Sequence, residues 1–267
     1  ANINIFSPKI NCLRLSPNQR ECAKWFNNIL SKLKVTPRQI QDPLSFRTIS
    51  VCHGLAITNI KQSISYWENE LNSISDSPIV LGKDKLHSTP NFHNPALSHS
   101  IESITLSNAM ISNASVQRMQ RLMETKISGL NSYLSPVGGK STGFTPTQKT
   151  AASILADIRH LALPINFDVA PVSDSVEDMS AMTPSSAKKL IKQSQLIKLI
   201  SGMECLVACQ ALDMRYGDVL KSKKISQISK AIWKNIRNSI DKVNDDRPME
   251  NDINFSSLIL EEFVNSN

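Results

Sequence analysis

From Ser185 to about Arg215 the chain reads as one uninterrupted helix, and no other stretch restricts the fold as strongly. Its first half, KKLIKQSQLIK over 188–198, alternates lysines with apolar residues at helical spacing. Its second half, Met203-Glu204-Cys205-Leu206-Val207-Ala208-Cys209, is apolar on nearly every side. A helix of that kind has to be covered all round, which puts it at the centre of a bundle or at a subunit interface. Ile57, Ile60, Ile64, Trp67, Leu71 and Ile74 recur in alternating steps of three and four, the a/d seam of a helix lying along another, and Asp76-Ser77-Pro78 ends it. A further helix is expected over about 95–124, with Ile104, Ile111, Val116, Met119 and Met123 on its apolar side, and another from Thr147 to about Leu163. The expected class is all-α.

The segments between are polar. Ile79-Val80-Leu81 before Gly82-Lys83-Asp84 reads as one edge of a small hairpin, residues 129–143 as a glycine-rich loop, and Pro164 and Pro171 exclude a regular helix from 163–180. A basic helix over 226–243, a turn at Asp245-Asp246-Arg247-Pro248 and an amphipathic segment with Phe255, Leu258, Ile259 and Phe263 follow. The expected division is a central long-helix bundle with its loops over 1–220 and a C-terminal helical segment packed on it over 221–267.

Composition removes several classes of function. An apolar fraction of 40% and a charged fraction of 20% in 267 residues are those of a soluble globular protein. Only 8 glycines disfavour a phosphate-cradling α/β fold. No apolar run approaches the length of a bilayer span and no charged-then-apolar leader is seen, so neither a membrane span nor a signal peptide is expected, and the cytoplasm is the expected compartment. Cys12, Cys22, Cys52, Cys205 and Cys209 form no CxxC pair; reduced thiols suit that compartment. Cys205 and Cys209, one helical turn apart with no histidine near in sequence, read as buried thiols in preference to a metal site. The net charge of +7 comes from lysines spread over helix faces, and only 5% of residues are aromatic for base stacking, so nucleic-acid binding is not expected. The histidines are scattered with no HExxH. Glu177-Asp178 either caps a helix or faces water, or acts as a pair in which one carboxylate raises the other's pKa and makes it a base.

The loops at 41–47, 90–95, 138–144 and 173–178 place polar residues at helix ends, where a bundle builds a site. Their motifs run in a fixed order. Gln41-Asp42-x-x-Ser45-x-Arg47 is followed by Gly54, Asn72-Ser73-Ile74-Ser75-Asp76-Ser77-Pro78 and Asn91-Phe92-His93. Ser128-Gly129-Leu130, Ser141-Thr142-Gly143-Phe144 and Gln148-x-Thr150-Ala151-Ala152 come next. Pro164, Asp168, Pro171, Glu177-Asp178 and, near the end, Asp246-Arg247-Pro248 with Asp252-Ile253 complete the series. This succession resembles the C-terminal half of the aromatic amino acid ammonia-lyase and aminomutase family, its histidine ammonia-lyase branch in particular.

The resemblance implies a long antiparallel helix bundle of the ammonia-lyase (fumarase/aspartase-like) type. It also implies a homotetramer whose sites draw on three subunits, and elimination of ammonia from a small aromatic amino acid. By the same resemblance Arg47 would clamp the substrate carboxylate and Gln41 would line the pocket in a catalytic role. Phe92 would form an apolar wall beside Asn91, and Glu177 would meet the amino or ring-nitrogen side. The family's electrophile, a methylidene-imidazolone, forms from an internal Ala-Ser-Gly; this chain holds Ile127-Ser128-Gly129 and Ile200-Ser201-Gly202 but no Ala-Ser-Gly. The group is therefore expected only in a complete family member. The chain alone is expected to be inactive, its partner being itself or a chain carrying the N-terminal half. Where the family has a catalytic tyrosine, this chain has Leu44. A non-catalytic member kept for oligomerisation or binding is the alternative reading.

Overall fold

The structure, a computed structural model, describes residues 2–37, 39–83, 85–165 and 169–266. Asp84 and Asp168, named above for the hairpin and for a family motif, lie outside the described residues. The helices are α1 (Pro8–Asn11), α2 (Pro17–Leu30), α3 (Leu44–Arg47), α4 (Ile49–Leu71), α5 (Pro95–Met123), α6 (Thr125–Ser128), α7 (Thr145–Leu161), α8 (Thr183–Tyr216), α9 (Gln227–Ser239) and α10 (Glu250–Asn265). Strands β1 (Ile79–Val80) and β2 (Leu86–His87) pair antiparallel, so the expected hairpin forms.

The all-α bundle expected from periodicity is the observed one, and α8 is its axis. At 34 residues it is about 50 Å long. Ile200, Met203, Leu206, Val207 and Cys209 are buried in the main core with Val116 and Met119 of α5, Leu155 and Ile158 of α7, and Ile253 of α10. Each such aliphatic side chain contributes about 1.5–3 kcal/mol by leaving water. By length and composition alone α8 is apolar enough to cross a membrane, although no uninterrupted apolar run in it reaches that length. In this fold the same apolarity is used against neighbouring helices.

Polar side chains inside the bundle fix which helices are neighbours and in what direction they run. Gln193 is fully buried; its amide donates to the carbonyls of Thr105 (3.0 Å) on α5 and Ile158 (3.2 Å) on α7, and its oxygen accepts from Asn108 (3.1 Å). Glu102, also buried, accepts from the Lys189 ammonium (2.8 and 3.0 Å) and the Ser186 hydroxyl (2.7 Å). Ser98 meets Ser186, Glu102 meets Lys189 and Arg118 meets Glu204, so α5 and α8 run parallel. Helices α4, α7 and α10 pack antiparallel to them, as Ser63–Ser100 with Asn59–Ser103, Lys189–Leu163 with Gln193–Ile158, and Lys198–Glu261 with Gly202–Ser257 show. A buried amide or carboxylate left without these partners would forfeit kilocalories, so each network admits one register.

The α4 seam faces the other way from the one the periodicity suggests. The helix packs on α5 through small residues, with Ser63 accepting from Ser100 (3.0 Å) and Asn59 donating to the Ser103 carbonyl (2.9 Å). Gly54 lets α2 in so closely that a Cβ there would sit 2.6 Å from Gln19 Cα. Ile60, Ile64, Trp67, Leu71 and Ile74 are 41–73% exposed. The stripe is thus an uncovered apolar face within one chain. The C-terminal basic helix is also shorter than its pattern: α9 stops at Ser239 because the Gln210 side chain takes both backbone groups of Val243, accepting from its N–H (3.0 Å) and donating to its carbonyl (2.9 Å).

Two measurable consequences follow from this packing. Gly202 sits where α8 crosses α10, and a Cβ would lie 2.7 Å from the Ser257 nitrogen. Gly202→Ala should lower stability by about 1–3 kcal/mol in denaturant titration, while Gly139→Ala, where a Cβ meets nothing within 4 Å, should leave it unchanged. The second consequence concerns Asp246, whose carboxylate accepts from the Thr142 N–H (2.8 Å), the Thr142 hydroxyl (3.0 Å) and the Gly143 N–H (3.0 Å). The two backbone N–H groups and that hydroxyl hold its pKa below the ordinary aspartate value. A depressed carboxylate stabilises above its unfolded pKa, and that contribution disappears as pH falls through the folded value. Acidification should therefore release the 138–144 loop, seen as a shift of the Thr142 and Gly143 amide resonances with a midpoint below that of free aspartate; Asp246→Asn should abolish the transition.

Candidate functional site

Two prolines set the first half of the site. Pro95 opens α5 and Pro184 opens α8, each in the first turn, where a missing N–H goes unnoticed. The two helices being parallel, their N-terminal ends lie side by side, tied by the Thr183 hydroxyl donating to Asn94 (2.7 Å). Over them lies a cavity of about 1020 Å³. Its walls are Pro90 and Phe92 before α5, Val172 and Val176 of the intervening loop, and Met179 and Met182 leading into α8. His93, Glu177 and Asp178 supply the titratable groups, and the two helix N-termini add partial positive charge.

Glu177 is presented by a strained turn. Val172 and Glu177 exchange backbone hydrogen bonds (3.0 and 3.3 Å), and between them Ser173, Asp174 and Ser175 all have positive φ of 53–67°. Non-glycine residues in that region carry strain, and here there are three in succession. The Glu177 side chain is exposed and has no hydrogen-bond partner among the described residues. Phe92 is 60% exposed at the cavity edge; Asn91, next to it and exposed, does not line the cavity.

The second half of the site lies at the far end of α5. Segment 41–47 ends in α3, a single turn, which rests against α5 where Arg118 donates to the Ser45 carbonyl (3.1 Å). Within the segment the Arg47 Nε donates to the Asp42 carbonyl (2.8 Å), and its two terminal nitrogens have no hydrogen bond among the described residues. Gln41 is exposed, and Leu44 is 63% exposed. Arg118 stands 24 positions beyond Asn94, about 36 Å along the helix. Within one chain the expected residues therefore form two groups: Phe92 and Glu177 with Asn91 alongside, and Gln41 with Arg47.

A partly buried ion pair unites the second group with the core. The Arg118 guanidinium donates to both Glu204 oxygens (2.5 and 2.8 Å), and the Ser115 hydroxyl also donates to Glu204. Beside them His53 has its pKa pushed down, first by burial and then by the Arg118 charge, with Glu204 opposing less strongly. Motif order did not single out these residues. The signal was available in composition: Glu204 is the sole charge in the apolar run Met203–Cys209, and a charge there needs a partner.

The chain's residues do not fit the formation of an imidazolone electrophile. Ser201-Gly202 lies in mid-helix, with Gly202 pressed against α10, and Ser128 ends α6 with Gly129 as its left-handed cap. Among the described residues no three metal-ligating side chains come together. Cys209 is buried, and Cys205, half-buried, lies one turn before it.

The sequence model of the family described as aromatic amino acid lyase matches residues 1–238. Histidine ammonia-lyase 1 of Fusobacterium nucleatum is 30% identical over 257 residues, 94% of this chain and 49% of that protein. The histidine ammonia-lyase of Myxococcus xanthus is 29% identical over 262 residues, 96% of this chain and 51% of that protein. Among solved structures, histidine ammonia-lyase from Trypanosoma cruzi has a TM-score of 0.86 at 25% identity, covering 99% of this chain and 50% of that one. Ergothionase from Treponema denticola has a TM-score of 0.90 at 24% identity, covering 98% of this chain and 53% of that one, a likeness of fold. The chain spans about half the length of the curated relatives it matches, in keeping with motifs that resemble the family's C-terminal half. From the family match, the relatives and the shared bundle together, this chain belongs to the aromatic amino acid lyase family.

Proposed function

We propose that this chain supplies the C-terminal part of a histidine ammonia-lyase-type site, which removes ammonia from an aromatic amino acid to leave the α,β-unsaturated acid. The observation that carries the reading is the separation of two sets of free functional groups. Arg47, its Nε on the Asp42 carbonyl, has two terminal nitrogens without a hydrogen bond among the described residues at one end of α5, and Glu177 has a carboxylate without one among them beside Phe92 at the other. An amino acid is no longer than the width of one helix, about 10 Å, and cannot touch both sets in one chain. The sets serve one substrate only if copies of the chain bring Arg47 of one to Glu177 of another. The uncovered α4 seam from Ile60 to Ile74 supports that assembly, a homotetramer in this reading. The five free thiols suit a cytoplasmic setting.

In the assembled site Arg47 holds the carboxylate through two parallel hydrogen bonds, for which its terminal nitrogens are available. Phe92 and the neighbouring methionines pack against the ring, Asn91 borders it and Gln41 lines the opposite wall. Glu177 faces the amino or ring-nitrogen side, where a carboxylate accepts a hydrogen bond or a proton. Loss of the amino group requires an electrophile that this chain has no Ala-Ser-Gly to form, so the reaction needs a segment carrying one.

A second reading, a binding or assembly module without catalysis, is favoured by one residue. Leu44 places an exposed hydrocarbon where the resemblance calls for a hydroxyl. Complementation separates the two. Supplied with an N-terminal portion bearing Ala-Ser-Gly, the enzyme reading expects rising ultraviolet absorbance from a urocanate- or cinnamate-like product; a confirmed complex that stays silent leaves the assembly reading. In the same complex Arg47→Ala should weaken binding of the amino acid by about 1.5–3 kcal/mol, the usual value of a hydrogen bond to a charged group. Unchanged affinity would remove Arg47 from the site.

A further inference from the structure

The 41–47 segment is held by very little of its own. Helix α3 has four residues, none of them buried. Its backbone bonds are Phe46 N–H to the Pro43 carbonyl (3.0 Å), Arg47 N–H to the same oxygen (3.3 Å) and Thr48 N–H to the Leu44 carbonyl (2.9 Å). One isolated turn is unstable in water, because it fixes several residues for few bonds. What holds it in place comes from outside.

Two outside contacts do so: the Asn2 N–H donates to the Asp42 carboxylate (2.6 Å) ahead of the turn, and Arg118 holds the turn itself. The Arg118 side chain is only 11% exposed, and its guanidinium spans two elements at once: two nitrogens on the Glu204 carboxylate of α8 and one on the Ser45 carbonyl of α3. The Glu204 side chain is 25% exposed, and a partly buried pair of this kind adds little stability over an apolar pair of the same volume, since both charges lose part of their hydration. Its presence in the most apolar stretch of α8 therefore calls for a role that an apolar pair would not fill. Aiming a three-pronged donor at a backbone carbonyl is such a role, because a planar fork fixes direction as well as distance. The Ser45 hydroxyl is itself buried with no hydrogen-bond partner among the described residues, so the contact that the side chains of this turn lack is made at the Ser45 carbonyl. The Ser115 hydroxyl on the Glu204 carboxylate fixes the brace from α5.

We propose that Arg118, braced by Glu204 and Ser115, is a positioning residue that sets the orientation of segment 41–47 and hence the direction in which Arg47 presents its free fork. The link to substrate rests on the carboxylate-clamp reading of Arg47; the positioning of the segment does not. Arg118→Lys keeps a charge for Glu204 but loses the planar fork that bonds Glu204 and Ser45 at once. The double substitution Arg118→Met with Glu204→Leu removes the pair without stranding a buried charge and guards against simple unfolding.

Hydrogen exchange on the full chain tests the positioning directly. Both variants should lose protection at the Phe46, Arg47 and Thr48 amides by about tenfold or more, as expected for loss of a charge-assisted hydrogen bond, while the amides of α4 beyond Ile57 keep theirs. Unchanged exchange at 46–48 in both variants overturns the proposal. In the complex with an N-terminal portion, preference for an aromatic amino acid over its decarboxylated amine should fall about tenfold in both variants, without a change in affinity for the amine. If the unsubstituted protein shows no such preference, the clamp reading of Arg47 fails, and the exchange result still decides whether Arg118 positions the segment.

Discussion

The parallel pairing of α5 and α8 is the constraint on which both halves of the site depend. Three polar ties hold it: Ser98 and Glu102 with Ser186 and Lys189 near one end, Gln193 in the middle, and Arg118 with Glu204 near the other. At the first end the two N-termini create the cavity that Glu177 and Phe92 face. At the other end the last tie carries α3 and Arg47. One pair of helices thus works as a ruler of fixed length with a partial site at each end. Slipping the pair by one turn, about 5.4 Å, would break every tie at once, which is why the spacing is fixed.

Such a ruler explains why the isolated chain looks unfinished. Charged groups with no partner and an apolar stripe with no cover are both unfavourable in a protein that ends its life as a monomer. Among the described residues the Arg47 terminal nitrogens and the Glu177 carboxylate have no hydrogen bond, and the α4 seam has no cover. In a symmetric assembly the same surfaces recur on each copy, so one solution serves every site. The turn at 173–175 leaves the Glu177 side chain exposed.

Much of the fold was legible in the sequence because helix periodicity reports burial directly. The all-round apolarity after Met203 located the central helix, and the ends of α5 and α8 fall within two residues of those expected. The direction of the α4 stripe was not legible: an a/d seam says that something covers it, not that the cover belongs to the same chain. Nor was the early end of α9, which depends on Gln210, a residue distant in sequence, capturing the backbone of Val243. For the site, ordered motifs named Arg47, Phe92 and Glu177 as candidates, but their grouping into two distant sets follows from the parallel pairing of α5 and α8. The lone Glu204 was the visible sign of the brace, and only the structure names Arg118 and Ser45 as the groups it serves.

Mixing two defective chains tests most directly whether copies share one site. Arg47→Ala and Glu177→Gln chains, each complemented with the same N-terminal portion, would be denatured together, refolded and assayed for binding of the aromatic amino acid. If Arg47 and Glu177 of a site come from different copies, random mixing makes about one site in four wholly native, and high-affinity binding returns at that fraction. If both residues of a site belong to one chain, no native site can form by mixing, and binding no better than that of the separate variants would contradict the account.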